Sequence, residues 1–351
     1  MVKKTSGRVT LQDVATKAGV GTATVDRVIN ERGNVSDEVR RQVIDAAREL
    51  GLRRILPSAY RRTVRVNVIL SRVDRPLLKR MATEVGRLGQ RFDKAIAIHR
   101  TLLADEEPNS VAMAMLKGSY DAVIVCAPDH PVIRDTIVAL QRRECPVVTL
   151  ISDVSGSTRL AYAGTDHVKA GRSAAYFMGR MAPRVEPTGK VIVLCHDEGF
   201  QAHAERIRGF SDQLAADGPG LALAEIVRGG DDSLLSEAKL KDAFRRHPET
   251  VGVYNAGGAN RGVIAAMGAN ILPRRPLFIG HELTGFTWRC LRDGLMTLTI
   301  DQSPELQAQY ALEVVMHHYG FEGAVHANPP YVSDVPIVLY GPQNLPDAPP
   351  V

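Results

Sequence analysis

The sequence predicts an α/β protein in which an N-terminal helix-turn-helix headpiece precedes two Rossmann-like lobes. The first observation is a pair of short helical patterns joined by a glycine turn within residues 10–30. The second is an alternation of short apolar runs and helical patterns from residue 64 onward. Strands joined by helical crossovers form parallel sheets covered on both faces, and this chain has too many such units for one open sheet. Two lobes behind a small helical domain therefore fit a chain of 351 residues.

Three helical patterns make up the predicted headpiece. The first starts after Thr10, because Asp13 three residues later completes a capping-box pattern. The turn Gly19-Val20-Gly21 leads into a second helix from Thr22 to Asn30. A third helix runs from Ser36 to Leu50, and Gly51 is a typical stop signal. The second helix leaves small polar residues and one arginine exposed, which is the arrangement of a helix that enters the DNA major groove.

The distribution of charge supports a DNA-binding role for this segment. Residues 1–62 carry 13 Lys and Arg against 7 Asp and Glu, whereas the rest of the chain carries 31 against 32. The net charge of +5 therefore comes from the N-terminal sixth of the chain. A phosphate backbone would be attracted to that segment and hardly at all to the remainder.

The segment resembles the DNA-binding headpiece of the LacI/GalR family of bacterial transcription regulators. The matching stretches, in order, are Val9-Thr-Leu-Gln-Asp-Val-Ala, Ala18-Gly-Val, Thr24-Val, Arg27-Val-Ile-Asn30, Val35-Ser36 and Ala47-Arg-Glu-Leu-Gly51. The resemblance implies that Thr22, Ala23 and Arg27 face base edges and that Thr24, Asn30 and Ser36 contact phosphates. Thr10 completes the predicted DNA-binding set.

Two features depart from the family pattern. Asp26 stands where the family usually has a serine, and its carboxylate would repel a phosphate unless Arg27 or Lys17 offsets it, so no contact is assigned to it. In the linker, Arg61 occupies the position of the leucine that family members insert into the minor groove. Either the hinge helix is shifted, with Pro57 starting it, or the arginines replace the apolar wedge by electrostatic attraction.

From residue 64 the chain alternates between strands and helices. Predicted strands are Val64–Ser71, Ala95–His99, Asp121–Cys126, Pro146–Ile151, Ala161–Gly164, Lys190–Cys195, Leu223–Val227, Gly252–Asn255, Pro276–Ile279 and Leu295–Ile300. Predicted helices lie near 77–91, 108–117, 131–143, 168–181, 201–216, 233–246, 260–269 and 284–293. The motif Gly164-Thr-Asp-His-Val-Lys-Ala-Gly-Arg172 resembles the same family and the periplasmic sugar-binding proteins, which implies a periplasmic-binding-protein type I fold.

These patterns predict four segments. They are a headpiece at 1–51, a linker at 52–63, an effector-binding domain at 64–341 and a tail at 342–351. Within the effector domain, lobe one comprises about 64–162 and 303–331, and lobe two about 163–302 and 332–341.

Ligands of open α/β sheets bind beyond the carboxyl ends of the strands, and two facing lobes bring those ends around one cleft. The polar residues just past the strands that we expect to bind ligand are Asp74, Asp129, Asp153, Arg206, Asn255, Glu282 and Gln302. Such planar groups form paired hydrogen bonds with vicinal hydroxyls. The last four stand where the resemblance places sugar contacts, although Glu282 replaces the usual aspartate.

The charge of the expected lining favours an uncharged sugar or polyol as effector. The acids Asp74, Asp153 and Glu282 face the single arginine Arg206, a balance that disfavours a phosphorylated or carboxylated ligand.

No pattern predicts a metal site, a cofactor or catalysis. His317-His318 has no spaced carboxylate or cysteine partner, and the glycines of Asn255-Ala-Gly-Gly-Ala-Asn-Arg-Gly262 do not fit a dinucleotide fingerprint. The four cysteines are scattered, which predicts buried free thiols in a reducing cytosol. There is neither an apolar run long enough to cross a membrane nor a secretory signal, so we expect a cytoplasmic protein.

We therefore expect a homodimeric, DNA-binding transcription regulator, a repressor by family frequency, whose operator affinity responds to a sugar or polyol bound between the lobes. The partners expected are double-stranded operator DNA, the effector and a second copy of the chain, with no membrane. Two alternatives stay open: a solute-binding protein without a regulatory role, and a regulator that responds to a non-sugar metabolite.

Overall fold

The structure is a computed structural model that describes residues 9–30, 32–33, 35–52, 63–91, 96–183, 189–196, 199–217, 220–321, 333 and 335–349. The predicted linker lies almost wholly outside the described residues, and with it the expectations for Pro57 and Arg61. The described residues form a small helical domain and two sheets flanked by helices.

The helical domain contains α1 (Leu11–Ala18), α2 (Thr22–Ile29) and α3 (Asp37–Glu49). Thr10 caps α1 through the predicted capping box with Asp13, and Gly19 ends α1 in the left-handed conformation that glycine adopts without strain. The core between the three helices consists of aliphatic side chains, among which Val14, Val25 and Ile44 are fully buried. The predicted helix-turn-helix is confirmed.

Lobe one is built on a five-stranded parallel sheet with the strand order β2-β1-β3-β4-β5. In chain order its elements are β1 (Val64–Ser71), α4 (Pro76–Arg91), β2 (Ile96–Leu103), α5 (Pro108–Leu116), β3 (Ala122–Val125), α6 (Pro131–Gln141), β4 (Val147–Leu150) and β5 (Ala161–Ala163). The central strands are apolar on both faces because helices cover both sides of the sheet.

Lobe two is built on a six-stranded sheet with the order β11-β10-β9-β8-β6-β7, in which β11 alone is antiparallel. Its elements are α7 (His167–Met181), β6 (Gly189–Cys195), α8 (Gln201–Ala216), β7 (Leu221–Arg228), α9 (Ser233–Arg246), β8 (Thr250–Asn255), α10 (Asn260–Gly268), β9 (Leu277–His281), α11 (Gly285–Arg292), β10 (Leu298–Asp301) and β11 (Val338–Tyr340).

The chain returns to lobe one through one further helix, α12 (Pro304–His318). Tyr310, Leu312 and Val315 of this helix are buried in the lobe-one core. The chain then comes back to lobe two, where β11 pairs with β10. These crossings orient both sheets so that residues just past the carboxyl ends of their strands line one cavity.

Several details differ from the sequence prediction. The second strand continues to Leu103, four residues beyond the predicted end, because its polar residues lie on the solvent-exposed edge of the sheet. The last parallel strand starts at Leu298, since Leu295 is held in the turn after α11 by a hydrogen bond to the Cys290 carbonyl. In the expected tail, Leu345 packs on the lobe-two core.

Candidate functional site

The exposed surface of α2 is the candidate nucleic-acid interface. Ala23 and Arg27 of α2 are exposed, while Thr22 and Thr24 are half-buried at its start. Thr10, Asn30 and Ser36 are exposed at the ends of helices or in the loops between them. Every residue predicted to touch DNA is therefore reachable, and Arg27 is the longest donor on the exposed face of α2.

Four of these side chains have hydrogen bonds within the headpiece, among them Thr10 with Asp13 and Ser36 Oγ, which accepts from the Val39 amide. Thr22 Oγ1 donates to Gln12 Oε1 at 2.6 Å, which joins the start of α2 to α1. Asn30 Nδ2 donates to Asp26 Oδ1 at 2.7 Å. Asp26 therefore orients the Asn30 amide, and this is the structural role of the residue that departs from the family pattern.

A cavity of about 620 Å³ lies between the two lobes. Part of its lining lies at or just past the carboxyl ends of the strands: Ser71 at the end of β1, Cys126 after β3, Ser152 after β4, His196 after β6, Asp231 after β7, Gly257 after β8, Glu282 after β9 and Gln302 after β10. The cavity volume is within the range of small-molecule sites in proteins. The described residues therefore form a cleft of the size that a metabolite needs.

Three predicted ligand-binding residues meet at the deep end of this cavity. Arg206, Glu282 and Gln302 all line it, and their side chains are almost completely buried. Gln302 Nε2 donates to Glu282 Oε1 at 2.5 Å, whereas Glu282 Oε2 and Gln302 Oε1 are buried without a hydrogen-bond partner among the described residues. Buried acceptors of this kind usually have a partner, so a ligand donor is the natural complement.

The environment of Glu282 changes its acidity. Burial, reinforced by the nearby Asp301 carboxylate, raises the pKa of Glu282 to about 7, and Arg206 opposes that rise. Protonation of this carboxyl group is therefore much easier than that of an exposed glutamate. The Glu282 backbone φ of +71° is a left-handed conformation that a non-glycine residue rarely adopts. Such strain fits a residue whose position in the site is fixed by its surroundings.

Arg206 is held by neutral groups. Its Nε donates to His167 Nδ1 at 3.2 Å, and its Nη1 donates to the Ala256 carbonyl at 2.9 Å. Burial, together with the Arg206 charge, lowers the pKa of His167 well below its ordinary value, so the imidazole is neutral.

Close packing of two helices positions Arg206. A Cβ at Gly171 of α7 would lie 2.1 Å from the Arg206 carbonyl oxygen, and one at Gly209 of α8 would lie 2.2 Å from the Val168 carbonyl oxygen. Only glycine permits this approach of the two backbones. The glycines in both helices are thus the reason that α8 lies close enough for Arg206 to reach the cavity.

The other predicted ligand residues have different surroundings. Asp74 lines the cavity but is exposed and paired with Arg72, which holds the pKa of Asp74 below its usual range. Asn255 is fully buried beneath the lining, where its side chain bonds Asn260 and the Gly257 amide.

Two of the predicted acids do not line the cavity. Asp153 is paired with Arg159 and accepts a hydrogen bond from Thr149, and these contacts lower the pKa of Asp153 although burial opposes them. Asp129 is paired with Arg134. Both carboxylates are therefore engaged by neighbours on their own lobe.

Several charged lining residues escaped the sequence analysis. They are Arg75, Lys79 and Arg80 before and within α4, together with Glu106, Asp231, Arg261 and Arg289. The expectation of three acids facing one arginine is wrong, because α4, α10 and α11 contribute basic side chains to the lining. These residues lie on helices, so the positions just past the strands do not include them. A basic residue in the first turn of a predicted helix would have been the signal.

An ion pair and a histidine–carboxylate contact cross the cleft in this structure. Arg75 of lobe one binds Glu106 of the same lobe through two nitrogens and lies 3.8 Å from Asp231 of lobe two. His196 of lobe two lies 3.4 Å from the same Glu106 carboxylate. These contacts join the lobes beside the cavity.

Other features bear on chemistry. All four cysteines are buried and free, and burial raises the pKa of the Cys126 thiol to about 12. Within the described ranges no group of His, Cys, Asp and Glu has the arrangement of a metal site. None of the helices in those ranges is both long and apolar enough to cross a membrane.

Two protein-family models match the chain. The model of bacterial regulatory proteins of the lacI family matches residues 10–54, and the model of the periplasmic binding protein domain matches residues 96–322.

Named relatives match parts of the chain. Catabolite control protein A of Streptococcus mutans is 24% identical over 212 residues, which are 56% of this chain and 62% of that protein. The ribose operon repressor of Halalkalibacterium halodurans is 26% identical over 168 residues, or 45% of this chain and 50% of the relative. The HTH-type transcriptional repressor PurR of Mannheimia succiniciproducens is 44% identical over 62 residues, 18% of either chain. The chain thus spans less than two thirds of the length of these curated relatives.

Solved structures share the fold of the two lobes. A glucose-galactose binding protein from Geobacillus stearothermophilus superposes with a TM-score of 0.71 at 17% identity, covering 82% of this chain and all 100% of that one. A solute-binding protein from Agrobacterium vitis superposes with a TM-score of 0.71 at 18% identity, covering 81% of this chain and 97% of that one. The chain belongs to the periplasmic binding protein domain family by its residues 96–322, and its residues 10–54 form a helix-turn-helix domain of the lacI type found in bacterial regulatory proteins.

Proposed function

We propose that this protein is a DNA-binding transcription regulator, acting as a repressor, whose affinity for operator DNA is controlled by a polyhydroxylated effector, a sugar or polyol, in the cleft. One observation carries the proposal: a helix-turn-helix whose second helix exposes Arg27 shares a chain with a cavity whose deep end contains buried acceptors without a partner among the described residues. The names of the relatives, which include a ribose operon repressor and catabolite control proteins, support it. The sugars named for similar solute-binding structures support the effector class.

In the proposed DNA complex, α2 enters the major groove. The side chains assigned to DNA are Thr10, Thr22, Ala23, Thr24, Arg27, Asn30 and Ser36. One headpiece offers few contacts, so we propose a homodimer whose two headpieces bind two half-sites of a near-palindromic operator. A protein with this partner acts in the cytoplasm.

In the proposed ligand complex, Arg206, Glu282 and Gln302 bind hydroxyls directly, and Asn255 supports the floor of the site from below. Ligand that bridges the lobes would favour the closed cleft and thereby change the spacing of the two headpieces, which residues 52–63 connect to the lobes. Coupling between such sites is typically about 1–3 kcal/mol.

The test is a DNA-binding titration on fragments selected from a random library, followed by addition of sugars and polyols that raise the melting temperature of the protein. We expect affinity to fall steeply between roughly 50 and 200 mM salt and to change on addition of a stabilising sugar or polyol. The alternative, a solute-binding protein without a regulatory role, predicts sugar binding without salt-dependent retention on DNA.

Arg206→Ala supplies the internal check of the site. This variant should bind operator like the parent protein but lose the response to the effector, because Arg206 is remote in sequence from the headpiece and faces the cavity. Arg292→Ala on α11 is the control, since Arg292 is exposed and paired with Asp293. A full effector response from Arg206→Ala would refute the site assignment.

A further inference from the structure

The mouth of the cavity carries three exposed cations that we name the basic rim: Lys79 of α4, Arg261 of α10 and Arg289 of α11. They come from both lobes, Lys79 from lobe one and the two arginines from lobe two. None of the three has an ion-pair partner in the part of the chain that the structure describes. Asp293, the carboxylate one turn beyond Arg289, is already paired with Arg292.

The positions of two of these cations oppose the dipoles of their own helices. Lys79 is the fourth residue of α4 and Arg261 is the second residue of α10, and neither helix has an acidic residue in its first turn. A helix N-terminus carries partial positive charge, and acidic residues are the ones usually favoured there. Placing cations at two helix starts that face one cavity costs stability unless an anion sits between them.

Arg261 is also held in place. Its guanidinium carbon lies 4.3 Å from the centre of the Phe286 ring, which lines the same cavity. The α10 N-cap, Ala259, makes no side-chain capping bond. The rim therefore offers an ordered guanidinium beside a helix start with no acidic or capping side chain of its own.

The deep end of the cavity has the opposite character. Glu282 and Gln302 offer buried, unpartnered oxygen acceptors, which suit hydroxyl donors and not an anion. Ser71 Oγ, also buried and unpartnered, lines the lobe-one side. The positive charge of Arg206 is faced by the Glu282 carboxyl, so the deep end is close to neutral when Glu282 is ionised. The two ends of the cavity thus have different chemistries.

From this polarity we infer that the effector is a polyhydroxylated anion, with its hydroxyls at Glu282 and Gln302 and its anionic group between Lys79, Arg261 and Arg289. The inference rests on the proposed function and specifies its ligand. It applies equally to a sugar acid and to a sugar phosphate, because both present anionic oxygens at one end of a hydroxylated chain.

The experiment measures ligand-induced melting-temperature shifts and then calorimetric affinities for matched sets of probes. Each set contains an aldose, its aldonate, its uronate and its 6-phosphate, for glucose, galactose and mannose. We expect one anionic member to bind at least about tenfold more tightly than its neutral parent at low salt, and this preference to shrink as salt is added. The carboxylate and phosphate members distinguish the two sources of negative charge.

Rim variants locate the anionic group. Arg261→Gln and Arg289→Gln should each reduce anion affinity by about threefold to tenfold while leaving the neutral parent unaffected. Arg292→Gln on the same surface of lobe two is the matched control and should change neither affinity. Melting temperatures of the unliganded variants verify that each one folds.

Three outcomes would overturn the inference: neutral members that bind as tightly as their acids, anion binding insensitive to both rim variants, or a panel in which no anion binds. A neutral sugar that alters DNA affinity would refute the anionic class and leave the proposed function standing. A parent protein that shows no salt-dependent binding to DNA would refute the proposed function.

Discussion

Glu282 and Gln302 form a buried pair at the deep end of the cleft, in which Gln302 Nε2 donates to Glu282 Oε1 at 2.5 Å. The two residues follow neighbouring parallel strands, β9 and β10, and so stand side by side at the carboxyl edge of the sheet. Each keeps one oxygen buried and without a partner among the described residues. The pair therefore presents two unsatisfied oxygen acceptors at the cavity.

The first prediction concerns the pH dependence of stability. Burial raises the pKa of Glu282 from 4.5 to about 7, so the folded state binds a proton that the unfolded state has released between those values. The contribution of this proton binding to the free energy of unfolding is fully present below about pH 4.5 and is lost as the pH rises through about 7. Glu282→Gln should remove this loss, worth about 3 kcal/mol, in urea titrations of unliganded protein from pH 4.5 to 8.

Glu107→Gln is the control for that experiment, because Glu107 is exposed at the start of α5. Its stability curve should run parallel to that of the parent protein. Parallel curves for Glu282→Gln as well would contradict the assigned acidity of Glu282.

The second prediction concerns the pair formed by Arg80 and Asp301. Arg80 Nη1 lies 2.6 Å from Asp301 Oδ2 and also donates to the Leu283 carbonyl, which ties α4 of lobe one to the loop that carries Glu282. Both side chains are largely buried. Arg80→Met should lower the free energy of unfolding by about 3 kcal/mol, because it leaves a buried carboxylate without its cation. Arg292→Met, which breaks an exposed pair, should cost less than about 1 kcal/mol.

The same variant tests communication between the lobes. If Arg80 fixes the loop after β9, Arg80→Met should also weaken effector binding, measured by calorimetry at a temperature where the variant is fully folded. Unchanged affinity would show that the pair stabilises the fold without positioning the site.

The third prediction concerns the contact of α7 and α8. Gly171→Ala places a methyl group 2.1 Å from the Arg206 carbonyl oxygen, so the backbone that carries Arg206 must move. We expect a loss of about 1–3 kcal/mol in stability and weaker effector binding. Gly179→Ala, on the same helix, meets only Asp217 Oδ2 at 3.6 Å and should be neutral or stabilising. Equal behaviour of the two variants would contradict the role of this close approach.

The fourth prediction concerns DNA recognition. Arg27→Ala removes the long exposed donor of α2 and should cost about 1–3 kcal/mol in specific affinity, with relaxed preference at one or two operator positions. Affinity for random DNA should fall much less. Arg292→Ala is the control, because it removes an equal charge from lobe two. An unchanged operator preference for Arg27→Ala would exclude α2 as the helix that reads the bases.

Much of the fold was predictable because helix and strand periods are local. Helices α8 (Gln201–Ala216) and α9 (Ser233–Arg246) have the bounds that the sequence pattern predicts. Their apolar positions repeat at helical spacing, and Asp232 caps α9 directly. The end of strand β2 was harder to predict, because the consecutive polar residues His99, Arg100 and Thr101 interrupt its apolar pattern.

The positions of the strand ends also predicted where the deep site lies. Residues just past parallel strands share one edge of a sheet whatever the details of packing, so Arg206, Glu282 and Gln302 could be placed together from chain order and resemblance. The raised pKa of Glu282 could not be predicted from the sequence, because it depends on burial and on the Asp301 carboxylate across the site.

The sequence by itself determined the helix-turn-helix, its basic charge, the two-lobed α/β fold and the deep polar end of the cleft, because capping, periodicity and strand order are properties of neighbouring residues. Tertiary structure alone decided the charge of the cleft. Arg159 engages Asp153 within lobe one, whereas Lys79, Arg261 and Arg289 reach the cavity from three separate helices. Electrostatic balance depends on distances between remote residues, and only the folded chain sets those distances.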